Sequence, residues 1–417
     1  MAALNEAAVA AGEIERLRTK IDAVFESDDL FWANIKPRNV EVMSYREMRV
    51  PIEISPGGAF RYFNPSGGDM GRGGAPKWDK AVVQPVFMSE GIEYQKLAQW
   101  STDDRRKAII NSVRKLTAGA TKELRRQLDA QLQQPGDGTV GTISAVTTTA
   151  GVDTYTLNSD GFGARLVREG QTIQVFDTTL ATLRGSGEIT QWDVENKQIQ
   201  VTPAIAGAVA TDRLVVDGIE DPSSMPAVFG VPYHCSNAST GDWLGFNRAN
   251  FPQVRANRVN GGGSALTLPL PRLAINKIGN RVGIERKFKV LAWMHPAQQQ
   301  AYEEIGQLVS IIQKMAKDEA LNMYFGDNMQ MAGAPVKAHF NWNQKRIDFI
   351  VDSVWGRGEI LPLGFYTSDG RNIFELRGPS GGVATADIFY MVCGFQTFVS
   401  NPACLSYIDN LAVPSGY

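Results

Sequence analysis

The residue types that usually carry chemistry are sparse and scattered in this chain. Three histidines, His234, His295 and His339, lie far apart, so only a tertiary accident would bring them together as zinc ligands. The cysteines, Cys235, Cys393 and Cys404, form no C-x-x-C pair and are odd in number; they read as buried thiols of a protein folded in a reducing compartment. No P-loop spacing, H-E-x-x-H or G-x-S-x-G occurs, and Gly185-Ser186-Gly187 lacks the third glycine of a dinucleotide fingerprint. The acidic pairs Asp103/Asp104 and Glu303/Glu304 fit helix caps and solvated faces better than acid–base catalysis. Trp192-Asp193 is a lone dipeptide without the repeat of a propeller. Asn237-Ala238-Ser239 is a glycosylation sequon that a cytoplasmic protein would not use. The expectation is a chain without catalytic residues, cofactor or metal.

The elements that would position such residues are more informative. With 417 residues the chain exceeds what one core usually organises, so two or three subdomains are expected. Hydrophobic residues at 43% and charged residues at 21% are those of an ordinary folded protein. A net charge of -2 argues against a globally basic surface for nucleic acid, while leaving room for a local patch. No apolar stretch approaches the ~20 residues needed to span a bilayer, and Ala2–Ala11 lacks the basic flank of a secretory leader.

Gly12 to Trp32 reads as a short charged helix with Ile14, Leu17, Ile21 and Phe25 on one side, ended by Lys36-Pro37. Two extended runs follow, one with Met48, Val50, Ile52 and Ile54, the other with Val82, Val86 and Met88. Between them, Ser55 to Asp79 is rich in glycine and proline yet holds Phe60, Tyr62, Phe63 and Trp78. Disordered linkers rarely carry so many aromatics, so this hairpin tip is expected to dock on a neighbouring subunit or to fold back on its own chain. Ser101 caps a long helix whose apolar stripe runs Ile109, Val113, Leu116, Ala120, Leu124, Leu128 and Leu132 until Pro135-Gly136. It would be roughly 48 Å long at ~1.5 Å per residue, which suits a spine laid across a flat, extended subunit.

From Thr139 to Gly218 the composition shifts to Thr, Val, Ile, Gly and Asp. Strand-like runs at Thr142–Val146, Thr154–Leu157, Thr172–Phe176, Ile189–Trp192, Gln198–Val201 and Arg213–Val216 suggest a small β-barrel or sandwich inserted into the chain. Beyond Pro222, Pro269–Arg281 looks helical and Val290–Met294 is a buried strand. Pro296 opens a helix that runs on to Gly326. Strands recur at Arg346–Val351, Ile360–Tyr366, Asn372–Leu376 and Asp387–Phe398, and the overall class is α+β.

Gly136-Asp137-Gly138-Thr139, directly after the long helix, resembles the turn that tailed-bacteriophage major capsid proteins place after their spine helix. Phe229-Gly230-Val231-Pro232-Tyr233 with Ser236-Asn237 and Gly241 to Arg248 resembles that family's entry into its axial domain. Trp293-Met294-His295-Pro296, Arg346-Ile347-Asp348-Phe349, Leu361-Pro362-Leu363 and the closing Phe389–Pro402 strand fit in the same order. The resemblance covers most of the chain outside Thr139–Gly218. It implies an N-terminal arm (1–44), an extended loop (45–90), a spine helix with the first part of a peripheral domain (91–138), an inserted barrel (139–219), a connection (220–235), an axial domain (236–379) and the rest of the peripheral domain (380–417). It further implies hexamers and pentamers of this chain closing into an icosahedral phage head around double-stranded DNA, assembled in a host cytoplasm.

Under that resemblance the loop residues Phe60, Arg61, Tyr62, Phe63, Arg72, Lys77 and Trp78 make intersubunit contacts. The basic residues of the spine helix, among them Arg114, Lys115, Lys122, Arg125 and Arg126, form either a solvated face or a surface turned to packaged DNA. The short arm points to a separate scaffolding protein; a portal protein, non-specifically bound DNA and a decoration protein complete the implied partners, with no membrane. Some relatives crosslink a loop lysine to a neighbour's asparagine; Lys77, Lys80 and Asn401 sit in suitable segments, but no complete lysine–asparagine–glutamate set aligns. An encapsulin-like cellular shell holding cargo enzymes is the alternative within the same fold. An enzyme or carbohydrate-binding protein working through the barrel is the alternative outside it.

Overall fold

The computed structural model describes residues 29–55, 57–58, 60–62, 72–95, 105–157, 162–283, 285, 289–314, 329–368, 370–377 and 383–414. Most of the helix expected over Gly12–Trp32, the Ser101 cap and the helix end at Gly326 lie outside these residues. The architecture is mixed α+β with many strands and few helices, the first described one being the short α1 (Leu30–Asn34). Two compact units divide the described chain, one within Met1–Ala33, Val86–Asp129 and Glu359–Phe395, the other within Asn34–Pro85, Ala130–Gly358 and Gln396–Tyr417.

In the larger unit, β1 (Glu41–Ser44), β2 (Glu47–Ser55) and β3 (Lys77–Val83) form an antiparallel sheet in that order. The register of β2 and β3 runs from Met48↔Val83 to Ser55↔Lys77, and Gly58 N–H donates to the Gly74 carbonyl at 2.8 Å beyond it. Only the base is buried: Met48, Ala81 and Val83 are inaccessible while the far half of β3 is exposed. Val82 N–H donates to Leu244 O at 3.0 Å and fixes that base. The expected second run does not continue from Val82 into Val86. Pro85 cannot supply a ladder N–H, and β4 (Val86–Gln95) belongs to another sheet.

The helix α2 (Arg105–Gln131) leads to six antiparallel strands that close on themselves. They are β5 (Thr139–Thr149), β6 (Val152–Leu157), β7 (Thr172–Phe176), β8 (Leu183–Asp193), β9 (Gln198–Thr202) and β10 (Arg213–Val216), in the order β10-β5-β6-β9-β8-β7. Period-two alternation sends Val140, Ile143, Tyr155, Leu157, Ile173, Val175, Ile189, Ile199, Val201 and Leu214 into one core. Ala150 and Gly151, both at positive φ, make the two-residue turn that matches strand twist between β5 and β6. Asp153 is buried inside but satisfied by Tyr155 OH at 2.8 Å, Thr148 Oγ1 at 2.5 Å and Ile205 N–H at 2.7 Å.

The chain enters and leaves the barrel through a zipped stem. Val231 N–H donates to Leu132 O at 2.7 Å, Gly230 N–H to Gln134 O at 3.1 Å and Ala227 N–H to Gly136 O at 2.9 Å. The two backbones approach so closely that a Cβ on Gly230 would lie 2.6 Å from the Leu132 carbonyl carbon. Gly230→Ala is therefore expected to cost about 1–3 kcal/mol by overpacking, read as a lower urea midpoint at unchanged slope. The Gln396 side chain clamps one strand of the stem, accepting from Phe229 N–H at 2.7 Å and donating to Ala227 O at 3.2 Å.

Beyond the stem, β11 (Asp242–Trp243) and β12 (Phe246–Asn247) form a small hairpin. A six-stranded mixed sheet follows, built from β13 (Asn257–Asn260), β14 (Leu291–Met294), β15 (Gln330–Met331), β16 (Ala334–Ala338), β17 (Ile347–Ile350) and the last strand, Ser406–Asp409. Its order places the last strand between β13 and β17, so residues beyond 380 complete the sheet that the expected boundary at 379 would have closed without them. Strand β17 is buried throughout, as a central strand covered on both faces must be. The helix α3 (Pro269–Val282) turns Pro271, Ala274, Ile275 and Ile278 inward, at the spacing of one helical face. Helix α4 (Pro296–Lys314) begins with proline at its first position.

The smaller unit is a sheet of β4, β18 (Trp355–Phe365), β19 (Phe374–Arg377) and β20 (Val383–Val399). Strand β20 pairs with β4 from Ala386↔Gln95 to Phe395↔Val86. Ala120, Leu124 and Leu128 of α2 are buried, and Thr121 Oγ1 lies 3.6 Å from Met391 Sδ. Trp32 N–H donates to Asp129 at 2.9 Å and the indole packs 4.7 Å from Phe395.

Candidate functional site

The exposed aromatics of the β2–β3 hairpin stand out. Phe60, Tyr62 and Trp78 are 87%, 92% and 66% exposed, although apolar residues of this size are normally buried. Phe60 and Tyr62 meet edge to face at 5.3 Å; Trp78 sits on β3 opposite Glu53. Arg61, Arg72 and Lys77 are exposed beside them, while Phe63 lies outside the described residues. The sequence did not single out Val42, Met43 and Tyr45, which are also exposed on and after β1. The outcome is a two-stranded ribbon with a dry base and an aromatic, basic end.

The basic residues of α2 divide. Lys122 and Arg125 are exposed, with Arg125 3.7 Å from Asp29. Arg126 is corrected: it is 2% exposed and forks onto Glu123 three residues earlier, because the last turns of α2 are covered on nearly every side. It is not a free cation for DNA in this chain. The side chains of Arg114 and Lys115 lie outside the described residues.

Near that pair lies an acid whose pKa is pushed close to neutrality. Burial raises Glu90 to about 7, repulsion from Glu123 adds to this, and Arg126 partly offsets it. A raised carboxyl binds its proton more tightly in the folded state, so stability falls as pH rises from the ordinary 4.5 towards 7. Glu90→Gln, permanently neutral, is expected to exceed the parent by about 1 kcal/mol at pH ~8, discounted for partial exposure, and to match it at pH ~4. Urea titrations at the two pH values check this.

Neither catalytic machinery nor a ligand cage emerges among the described residues. Among the described residues no group of three or more His, Cys, Asp and Glu could hold a metal ion, and no helix is long and apolar enough to cross a membrane. An open depression of about 450 Å³ is lined by Leu268, Pro269, Leu270, Arg272, Leu273 and Asn276, without an acid–base pair. Asn401, weighed for crosslinking, instead caps a short 3-10 turn by accepting from Ala403 N–H at 3.0 Å. His234 is enclosed: its Nδ1 accepts from Trp243 Nε1 at 3.1 Å and its Nε2 faces Thr397 Oγ1 at 3.1 Å. Burial, then Arg248, lowers it to about 3, the signature of a structural neutral histidine.

No protein-family model and no curated protein matches the sequence. Solved structures do. The chain is similar to one in the capsid asymmetric unit of cyanophage A-1(L), with TM-score 0.53 and 9% identity over 94% of this chain and 95% of that one. The fold is that of a phage capsid subunit. Weaker likenesses are the capsid of a native GTA particle, with TM-score 0.46 and 12% identity over 98% and 100% of the two chains, and the SrpI encapsulin of Synechococcus elongatus, with TM-score 0.43 and 8% identity over 100% and 99%.

Proposed function

We propose that this chain is the major capsid protein of a tailed phage: a structural subunit, not an enzyme, that assembles into hexamers and pentamers of an icosahedral head around double-stranded DNA. The observation that carries this reading is the whole-length capsid fold, because partial likeness would fit many mixed α+β proteins. Within it, the β2–β3 hairpin is the extended loop, with Phe60, Arg61, Tyr62, Arg72, Lys77 and Trp78 contacting a second copy. The helix α2 is the spine, and with β4, β18, β19 and β20 it makes the peripheral domain. The six-stranded sheet, including Ser406–Asp409, is the core of the axial domain, and the barrel is an insertion. Lys122 and Arg125 are the described candidates for DNA contact. A separate scaffolding protein, a portal protein and a decoration protein are the further partners, and the mature protein resides in the virion.

The contents of purified particles test the viral reading. Nuclease-protected double-stranded DNA of uniform length is the expected finding. A stoichiometric enzyme cargo without DNA would instead place the chain among encapsulin-like cellular shells.

A further inference from the structure

One histidine ties the barrel to the six-stranded sheet. The barrel loop between β6 and β7 reaches out through Arg165, whose Nε donates to Phe162 O at 2.8 Å and whose Nη2 donates to Trp342 O at 3.4 Å. Its Nη1 meets His295 Nε2. His295 follows β14 and caps α4: its carbonyl accepts from Gln298 N–H at 2.9 Å, and its ring Nδ1 accepts from Ala297 N–H at 3.0 Å. His295 is 2% exposed as a residue, and its ring centroid lies 6.1 Å from that of Phe340.

Both ring nitrogens of His295 thus face N–H donors. A neutral imidazole has one lone pair to offer these two donors, and a protonated ring has none. Protonation would place N–H against N–H at Ala297 and at Arg165 together. It would also add positive charge at the N-terminus of a 19-residue helix, where the backbone dipole already opposes it. Among the described residues, the titratable groups that face the ring are Arg165 from the barrel loop and His339 after β16, and both repel a second cation.

We propose that His295 is an acid-sensitive latch: when its ring is protonated, the barrel loop around Arg165 separates from the six-stranded sheet while the stem at Leu132–Gly138 and Ala227–Val231 stays zipped. The contacts that join the two strands of the stem are backbone hydrogen bonds and the uncharged Gln396 side chain; Asp137 lies within the stem but accepts from Thr139 N–H on its own strand and pairs with Arg213 of the barrel, and does not bridge to Ala227–Val231. The latch gives the barrel two attachments of different kinds, one permanent and one reversible, and so an orientation that depends on proton concentration.

The sign follows from the environment. Burial first, then Arg165 and His339, lower the ring from 6.5 to about 3 in the closed state, whereas an open loop would free it towards its ordinary value. Closure is therefore fully favoured above about pH 6.5 and weakens steadily as pH falls towards the closed-state value.

Hydrogen exchange of the full chain, corrected for intrinsic rates, tests the latch. Between pH ~7 and ~4.5 the amides of residues 162–171 are expected to lose about tenfold more protection than strands β5 and β6. His295→Gln should lack this differential step. Exchange of the histidine C2 hydrogen, followed in the parent chain, should report titration of His295 over the range in which the loop opens. A step that persists in His295→Gln would overturn the proposal. So would titration of His295 with the loop still protected, a result that stands even if the variant does not fold.

Discussion

Asp348→Ala is expected to destabilise the chain by about 3–5 kcal/mol, a large fraction of the roughly 5–15 kcal/mol stability of an ordinary domain. Asp348 is buried on β17 and takes a bidentate pair from Arg346, with Nη2 at 2.6 Å from Oδ1 and Nε at 2.8 and 2.9 Å from the two oxygens. Its Oδ2 also accepts from Trp342 Nε1 at 3.0 Å. The guanidinium continues to Cys235 O at 2.9 Å and lies 4.2 Å over the ring of Tyr407. Burial works against the charge on Arg346, and Asp348 more than compensates, so the pKa of the guanidinium rises. Removing the carboxylate strands a buried cation in a site that ties β17 to the last strand and to the end of the stem. Asp348→Asn should cost less, because it can still accept from Trp342. Urea midpoints of the three proteins measure the ladder; a loss below about 1 kcal/mol for Asp348→Ala would show that water reaches Arg346.

The second large effect falls on assembly. The combined variant Phe60→Ala, Tyr62→Ala, Trp78→Ala is expected to fold within about 0.5 kcal/mol of the parent, because all three side chains lie in solvent in the single chain. In a shell these aromatics would be the anchors of the loop contact, and buried interface aromatics each contribute about 2 kcal/mol or more. Even with incomplete additivity, about 4 kcal/mol per contact is lost, roughly a thousandfold in pairwise association. Sedimentation of assembled against soluble protein reads the effect directly. Undiminished particle formation would show that the hairpin tip is not an intersubunit anchor.

Local signals made much of the secondary structure legible. Strands β6 and β9 alternate with period two and are bounded by turn residues, and Pro296 marks the first turn of α4. Pro85 was a visible signal too, and a stricter use of it would have divided the run through Val82 and Val86 into two strands. Other features depend on partners far apart in sequence. Arg346 reaches Cys235 across 111 residues, and Gln396 reaches Phe229 across 167, so no spacing rule could pair them. The same holds for Ser406–Asp409, whose place in the six-stranded sheet follows from parallel pairing with β13. Arg126 misled because a basic helix reads as a solvated face, while the end of α2 is covered on nearly all sides.

The central claim is that this chain builds a shell, and it is tested most directly by electron microscopy of the chain expressed alone and together with its scaffolding partner. Closed particles or capsomer rings are predicted in at least one of the two preparations. A folded chain that remains monomeric in both would contradict the account.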